Sequence, residues 1–126
     1  VGRAKQPWYF RWRDEERPIL FAGLWESWRG PDGDALESCA IVTTEPNDVM
    51  RPVHNRMPAI LATADAERWL DPAVTDVSAL SAVLRPSPAA EMTATRLDDY
   101  VSNVQHEGPE CLAPAKGLAA SQLSLF

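Results

Sequence analysis

The chain is poor in several residue types that would narrow its chemistry. Its 126 residues include only two cysteines and two histidines. Cys39 and Cys111 stand far apart, outside any CxxC or mixed His/Cys spacing, which argues against a disulfide framework and a zinc site. Both are expected to be reduced thiols, and neither a metal nor another cofactor is expected. No run of 18 apolar residues occurs, and the stretch VGRAKQPWYF lacks the apolar segment of a secretion signal. Neither a membrane span nor export is indicated, so a cytoplasmic location is expected. Positive charge is scarce as well: 12 Lys and Arg stand against 18 Asp and Glu, a net charge of −6. A protein that holds nucleic acid by bulk electrostatics needs the opposite balance, although a local basic groove is compatible with this one.

What is present is unevenly placed. The length and a hydrophobic content of 45% suit one domain with a real core. Residues 1–56 hold eight Lys and Arg against nine Asp and Glu, whereas residues 57–126 hold four against nine. Five tryptophans, Trp8, Trp12, Trp25, Trp28 and Trp69, stand mostly beside those basic groups. Cations interleaved with flat apolar side chains are what a single-strand groove requires, because phosphates need charge and unstacked bases need stacking partners. A hydrophobic core under a charged strand face gives the same pattern, and composition does not choose between them.

The local patterns predict an α+β fold, mostly antiparallel sheet with a few short helices and with the strands concentrated in the front half. PWYFRWRDEERPILFAGLWESW reads as two aromatic-rich strands joined as a hairpin across the charged residues Asp14 to Arg17. GPDGD reads as a turn, and Glu37 to Thr44 as a further strand. EPNDVMRPVHNRMP, with three prolines and no clear period, reads as a loop with at most a short helical turn. AILAT follows as a short strand. TADAERWLD is expected to be a helix capped by Thr63, and DVSALSAVLR a helix capped by Asp76, with Val77, Leu80, Val83 and Leu84 on one face. EMTATRL and DYVSNV read as late strands, and the stretch from His106 as linker.

Two stretches invite a functional reading. In RPVHNRMP, His54 sits between Arg51 and Arg56, either as a turn residue with a hydrogen-bond partner or as a proton carrier beside an anion-collecting site. In SQLSLF, Leu123, Leu125 and Phe126 follow a Pro/Gly/Ala stretch. Three large apolar side chains there are expected to be covered, either by their own domain or by a hydrophobic groove on a partner, with Gln122 hydrogen-bonding at its edge.

Three segments together carry a resemblance. AGLWE, TTEPNDVMRPVHNRMPAIL and VSNVQHEGPECL resemble the SRAP family, the SOS response-associated peptidase domain, over roughly Lys5 to Leu112. The most specific element is the pattern TTxxNxxMxxxHxRMP. The resemblance implies an SRAP-like fold and a bacterial protein of the nucleoid that recognises abasic sites in single-stranded DNA, in the SOS response to DNA damage, and crosslinks to them. By motif it implies that Glu26 and His54 are catalytic and that Arg56 lines the DNA groove. The chemistry is consistent with those residue types. An abasic site opens to an aldehyde, and an amine condensing with it needs a proton donor to expel water from the carbinolamine. Glu26, expected to be partly withdrawn from water between Trp25 and Trp28, would serve as general acid/base, with His54 as proton shuttle. Arg51 and Arg56 would hold flanking phosphates, Arg56 through a bidentate fork, and Trp25 or Trp28 would wall the groove.

The family's nucleophile is an N-terminal cysteine exposed by self-processing, and nothing in this chain matches it. Val1 and Gly2 stand at the start, and Cys39 lies within a strand. The expectation is therefore that residues 1–112 form the C-terminal portion of an SRAP-like domain, incomplete and inactive without the front half, and that residues 113–126 form a linker and tail. QLSLF resembles the peptide by which bacterial replication and repair proteins dock on the β sliding clamp, which would make Gln122, Leu123, Leu125 and Phe126 partner-binding. An alternative follows from it: a non-catalytic adaptor recruited to the clamp.

Overall fold

The computed structural model describes residues 5–14 and 17–116. Among the described residues eight strands form four two-stranded antiparallel pairs, accompanied by two α-helices, giving the α+β class expected. The described residues fall into two compact units: those before Pro18 together with those from Ala89 onward, and Pro18–Pro88.

In the first unit, β1 (Trp8–Trp12) pairs with β8 (Met92–Arg96), from Trp8 opposite Arg96 to Trp12 opposite Met92. The expected hairpin between β1 and the next aromatic run is therefore not formed. The cause lies in side-chain pattern: Trp12 and Met92, at 6% and 1% exposure, bury together at one end of this ladder, a pairing that no local turn dictates. Arg17 stacks over the Trp12 ring at 4.0 Å and bonds to Glu91, so its side chain is fastened beside this ladder. Residues 99–104, expected as strand, form a 3₁₀ turn over Asp99–Ser102 instead. The Asp98 carboxylate accepts the Tyr100 amide at 3.0 Å, and an Asx cap of this kind diverts the chain from a ladder. The stretch expected as linker is partly built in. Asp98 N–H donates to Ala113 O at 2.8 Å and Ala115 N–H to Arg96 O at 3.0 Å, laying residues 113–115 along β8.

The second unit is organised around three small or branched residues. Ala22 N–H donates to Ala59 O, Ala59 N–H to Val42 O, and Val42 N–H to Ala22 O, each at 2.8–2.9 Å. This closed triangle brings three backbones together, and only short side chains fit where they converge: Ala22 and Ala59 are both 0% exposed. Leu61 and Val83 complete the buried cluster, with Leu20, Val42, Ala66, Trp69 and Leu84 packed on it. From this junction β2 (Leu20–Phe21) pairs with β7 (Ile60–Leu61), and β5 (Thr43–Thr44) with β6 (Met57–Pro58). The helix α1 (Thr63–Leu70) is fastened by the Trp69 indole N–H, which donates to Gly23 O at 2.9 Å. Its cap residue is Ala62, without a side-chain bond, so Thr63 is the first helical residue rather than the cap. Asp76 caps α2 (Val77–Ser81) as expected, accepting from Ser78 and Ala79 amides. Val77, however, is 73% exposed; the helix ends after five residues, and Val83 and Leu84, past its end, are the residues of this segment that join the core cluster.

The remaining pair projects as a ribbon. β3 (Gly23–Arg29) and β4 (Ala35–Ile41) pair in full register from Gly23 opposite Ile41 to Arg29 opposite Ala35. Their connection is the GPDGD turn. Gly33 N–H donates to Gly30 O and Gly30 N–H to Asp34 O, and Gly33 takes φ +86°. Pro31 suits the first central position of a type I turn, and a left-handed residue after it matches the twist of the strands.

Candidate functional site

The loop between β5 and β6 is built by a run of short-range hydrogen bonds, and nearly every fixed position of the TTxxNxxMxxxHxRMP pattern takes part. Asn47, 7% exposed, is its hub. Its carbonyl accepts the Met50 and Arg51 amides and its side-chain oxygen accepts Met50 N–H at 3.0 Å, winding residues 47–51 into a turn. Its side-chain amide donates to Ser87 O at 2.9 Å, and its backbone N–H lies 3.2 Å from the Met57 sulfur, which is 1% exposed. A second turn follows as Met50 O accepts the Val53 and His54 amides. The loop thus reaches His54 with its backbone already positioned, while residues 51–56 remain exposed to solvent.

His54 is then held by the peptide of Arg56. Its Nδ1 accepts Arg56 N–H at 3.0 Å and lies 2.9 Å from Arg56 O. A neutral ring protonated at Nε2 uses the first contact, and a ring protonated at Nδ1 donates in the second, so the imidazole has a partner in either form without turning. Nε2 makes no hydrogen bond to any described residue, and the residue is exposed.

The Arg56 side chain lies back on β5. Nη2 donates to Thr43 O at 2.6 Å and to Thr43 Oγ1 at 2.9 Å, and Nε donates to the same hydroxyl at 3.2 Å. Three of the five guanidinium N–H groups are therefore engaged by one residue and both on Nη1 are open. No described carboxylate pairs with Arg56, so its charge is available to an anion, but the side-on bidentate fork expected from the sequence is occupied by Thr43. Arg51 differs. It lies 3.5 Å from Asp48 Oδ1 and donates to Pro46 O at 3.2 Å, so part of its charge is already offset.

The ribbon residues are not brought to this loop. Glu26 is exposed on β3, and its carboxylate turns back to accept the neighbouring Ser27 amide at 2.8 Å. It is not withdrawn from water as expected. Successive strand residues point to opposite faces, so Glu26 shares its face with Leu24, Trp28, Leu36, Ser38 and Ala40 and not with Trp25. Trp25 and Trp28 lie on opposite faces, at 74% and 58% exposure. The indole of Trp28 folds over Gly30, where an added Cβ would meet it at 3.2 Å. Glu26 lines a shallow open depression of about 410 Å3 with Leu24, Trp25, Ser38, Cys39 and Ala40, and neither His54 nor Arg56 borders it. No hydrogen bond or ion pair joins Glu26 to His54. Cys39 and Cys111 are free thiols, and among the described residues no group of three His, Cys, Asp or Glu side chains could hold a metal. No helix among the described residues is long and apolar enough to cross a membrane. Gln122, Leu123, Leu125 and Phe126 lie outside the described residues.

Sequence reading missed Thr43 and Asn47 as working parts of the site. Both stand in the quoted pattern, but their roles, holding Arg56 and winding the loop, require knowing which atoms meet.

These features define an α+β protein with an imidazole and a carboxylate-free arginine mounted on one rigid loop. The profile of the SOS response associated peptidase (SRAP) family matches residues 1–104, and the chain belongs to that family. It is 39% identical over 94 residues to the abasic site processing protein YoqW of Bacillus subtilis (strain 168), covering 75% of this chain and 42% of that protein. It is 35% identical over 103 residues to the abasic site processing protein HMCES of Rattus norvegicus, covering 81% and 29%. A solved structure from Bacteroides thetaiotaomicron superposes with a TM-score of 0.75 at 27% identity, covering 91% of this chain and 50% of that one. The chain thus spans half or less of the length of each of these relatives.

Proposed function

We propose that this chain contributes the proton-transfer and anion-binding side of a site that recognises abasic positions in single-stranded DNA and joins them covalently to protein. The observation that carries this reading is the loop geometry: an imidazole pinned at Nδ1, its Nε2 open, on the same few residues as an arginine with two open N–H groups. In the reaction proposed, an amine adds to the open-chain aldehyde, forming a C–N bond and a carbinolamine. Protonation of its hydroxyl by the Nε2–H of the imidazolium form of His54 releases water and leaves the neutral ring, and the resulting iminium is closed by a neighbouring thiol, whose proton returns to Nε2. Amine and thiol would both belong to an N-terminal cysteine of the complete domain, exposed by self-processing. Arg56 supports binding by placing its open edge on a flanking phosphate, with Arg51 as a weaker contributor. Glu26 stays in this reading as a second acid–base group, and Trp28, on its face, as the tryptophan better placed to stack near it.

The deciding experiment mixes the full-length protein with a single-stranded oligonucleotide carrying an abasic site and resolves the products on a denaturing gel. A covalent species that His54→Gln slows is expected. Absence of any covalent species with the native protein overturns the reading. Recruitment to a sliding clamp through QLSLF is tested separately: deleting residues 122–126 is expected to abolish clamp binding and leave crosslinking intact, and unchanged clamp affinity removes that role.

A further inference from the structure

We propose that Thr43 is a positioning residue for Arg56, setting which edge of the guanidinium meets the nucleic acid; this rests on the reading that Arg56 binds a phosphate. An arginine on an exposed loop ordinarily samples many rotamers, and fixing it at the moment of binding costs free energy. Here the cost is met in advance. Thr43 offers two acceptors from one residue, its carbonyl at 2.6 Å and its hydroxyl at 2.9 and 3.2 Å, and together they take every N–H on the Nε–Nη2 edge. The strand below is itself fixed, because Thr43 pairs with Pro58 and Thr44 with Met57, on either side of the loop that carries Arg56. The consequence is directional: only Nη1 remains to donate, so the phosphate is held at one edge. The backbone of the same arginine holds the His54 ring. Arg56 therefore links the anion contact to the imidazole, and Thr43 sets the position of the anion contact.

The test uses the full-length protein and a fluorescent single-stranded oligonucleotide with a non-reactive tetrahydrofuran abasic analogue, so that affinity is read without crosslinking. Binding is measured by anisotropy across a salt series. Arg56→Ala is expected to weaken binding and to lower the log–log salt slope by about 0.7, the release expected for one phosphate contact on a single strand. Thr43→Val, which removes the hydroxyl and both hydrogen bonds it accepts but keeps the branched shape and the carbonyl, is expected to weaken binding at least about fivefold, the typical worth of a single hydrogen bond. Thr43→Ser is expected to restore it. In the background of Arg56→Ala, Thr43→Val should have no further effect. A merely structural threonine would weaken binding equally in both backgrounds. Should Thr43→Val fold poorly, as judged by its urea midpoint, the comparison of Thr43→Ser with Thr43→Ala carries the same test. If Arg56→Ala leaves the salt slope unchanged, the phosphate reading itself fails. If Arg56→Ala changes it while the Thr43 variants bind like the native protein, or act additively with Arg56→Ala, the positioning role is overturned and the phosphate reading stands.

Discussion

The β3–β4 ribbon and the loop from Thr43 to Pro58 grow from the same buried junction of Ala22, Val42 and Ala59, yet they are finished to different degrees. All 14 ribbon residues are exposed, including Leu24, Trp25, Trp28, Leu36 and Ile41 on its two faces. A two-stranded ribbon that is apolar on both faces is marginal alone and normally gains its stability from surfaces packed against it. The loop is also largely exposed from Arg51 to Arg56, but its geometry is internal: Asn47, Met50 and the Arg56 peptide fix it through hydrogen bonds among neighbours and to Ser87. The difference teaches where functional weight can be placed on this chain. The loop presents its imidazole and guanidinium in defined positions by itself, whereas Glu26 and the ribbon tryptophans are presented by a strand pair whose residues are all exposed.

Experiments can break that comparison, beginning with the largest effect. His54→Gln in the full-length protein is expected to slow crosslinking by about 100-fold or more, the usual share of a positioned acid–base group, while Glu26→Gln has a smaller effect. Equal losses, measured as initial rates on denaturing gels, would remove the distinction between loop and ribbon. Asn47→Ala is expected to destabilise the protein by about 2–3 kcal/mol in urea unfolding. It deletes the side-chain hydrogen bonds to Ser87 O and Met50 N–H at a buried site and leaves the Ser87 carbonyl without this donor. A loss below about 0.5 kcal/mol, within ordinary surface variation, would show that the loop is not held from Asn47.

The ribbon sharpens the comparison through smaller effects. Gly33→Ala places a Cβ at φ +86° and is expected to cost about 1 kcal/mol, although nothing lies within 4 Å of the added atom. Measured unfolding free energies should show the cost confined to the turn, without change in the His54 environment by NMR. Trp28→Ser with Leu36→Ser is expected to change the stability of the 126-residue chain by no more than about 0.5 kcal/mol while reducing self-association in light scattering. A larger loss would mean that the ribbon faces are already covered in that chain.

Much of the local structure was legible in the sequence because it depends on a few adjacent residues. Gly30 to Asp34 was readable as a turn from its Pro-Asp-Gly chemistry, and Asp76 as a helix cap from the carboxylate ahead of an apolar run. The loop 45–58 was readable from its prolines and lack of period. Strand partners were not. Trp8–Trp12 looked like half of a local hairpin, but its partner, Met92–Arg96, lies some eighty positions away, and the alternation that favours pairing is equally satisfied by either choice. The Asp98 cap turned an expected strand into a 3₁₀ turn, a competition between a side chain and the ladder that composition alone does not resolve.

The candidate site divides along the same line. That His54 and Arg56 belong to one feature follows from two residues' separation on a proline-rich loop, and family resemblance supplied the direction. That Glu26 points into water and shares a face with Trp28 rather than Trp25 follows from strand register. By itself the sequence determined the turn, the cap and the presence of a loop at 45–58, since these are set by φ/ψ preferences and by residues a few positions apart. Only the tertiary structure decided that Thr43 occupies three N–H groups of Arg56 and that β3 and β4 remain uncovered on both faces, because those outcomes depend on which distant segments meet and on how much surface is left for them to bury.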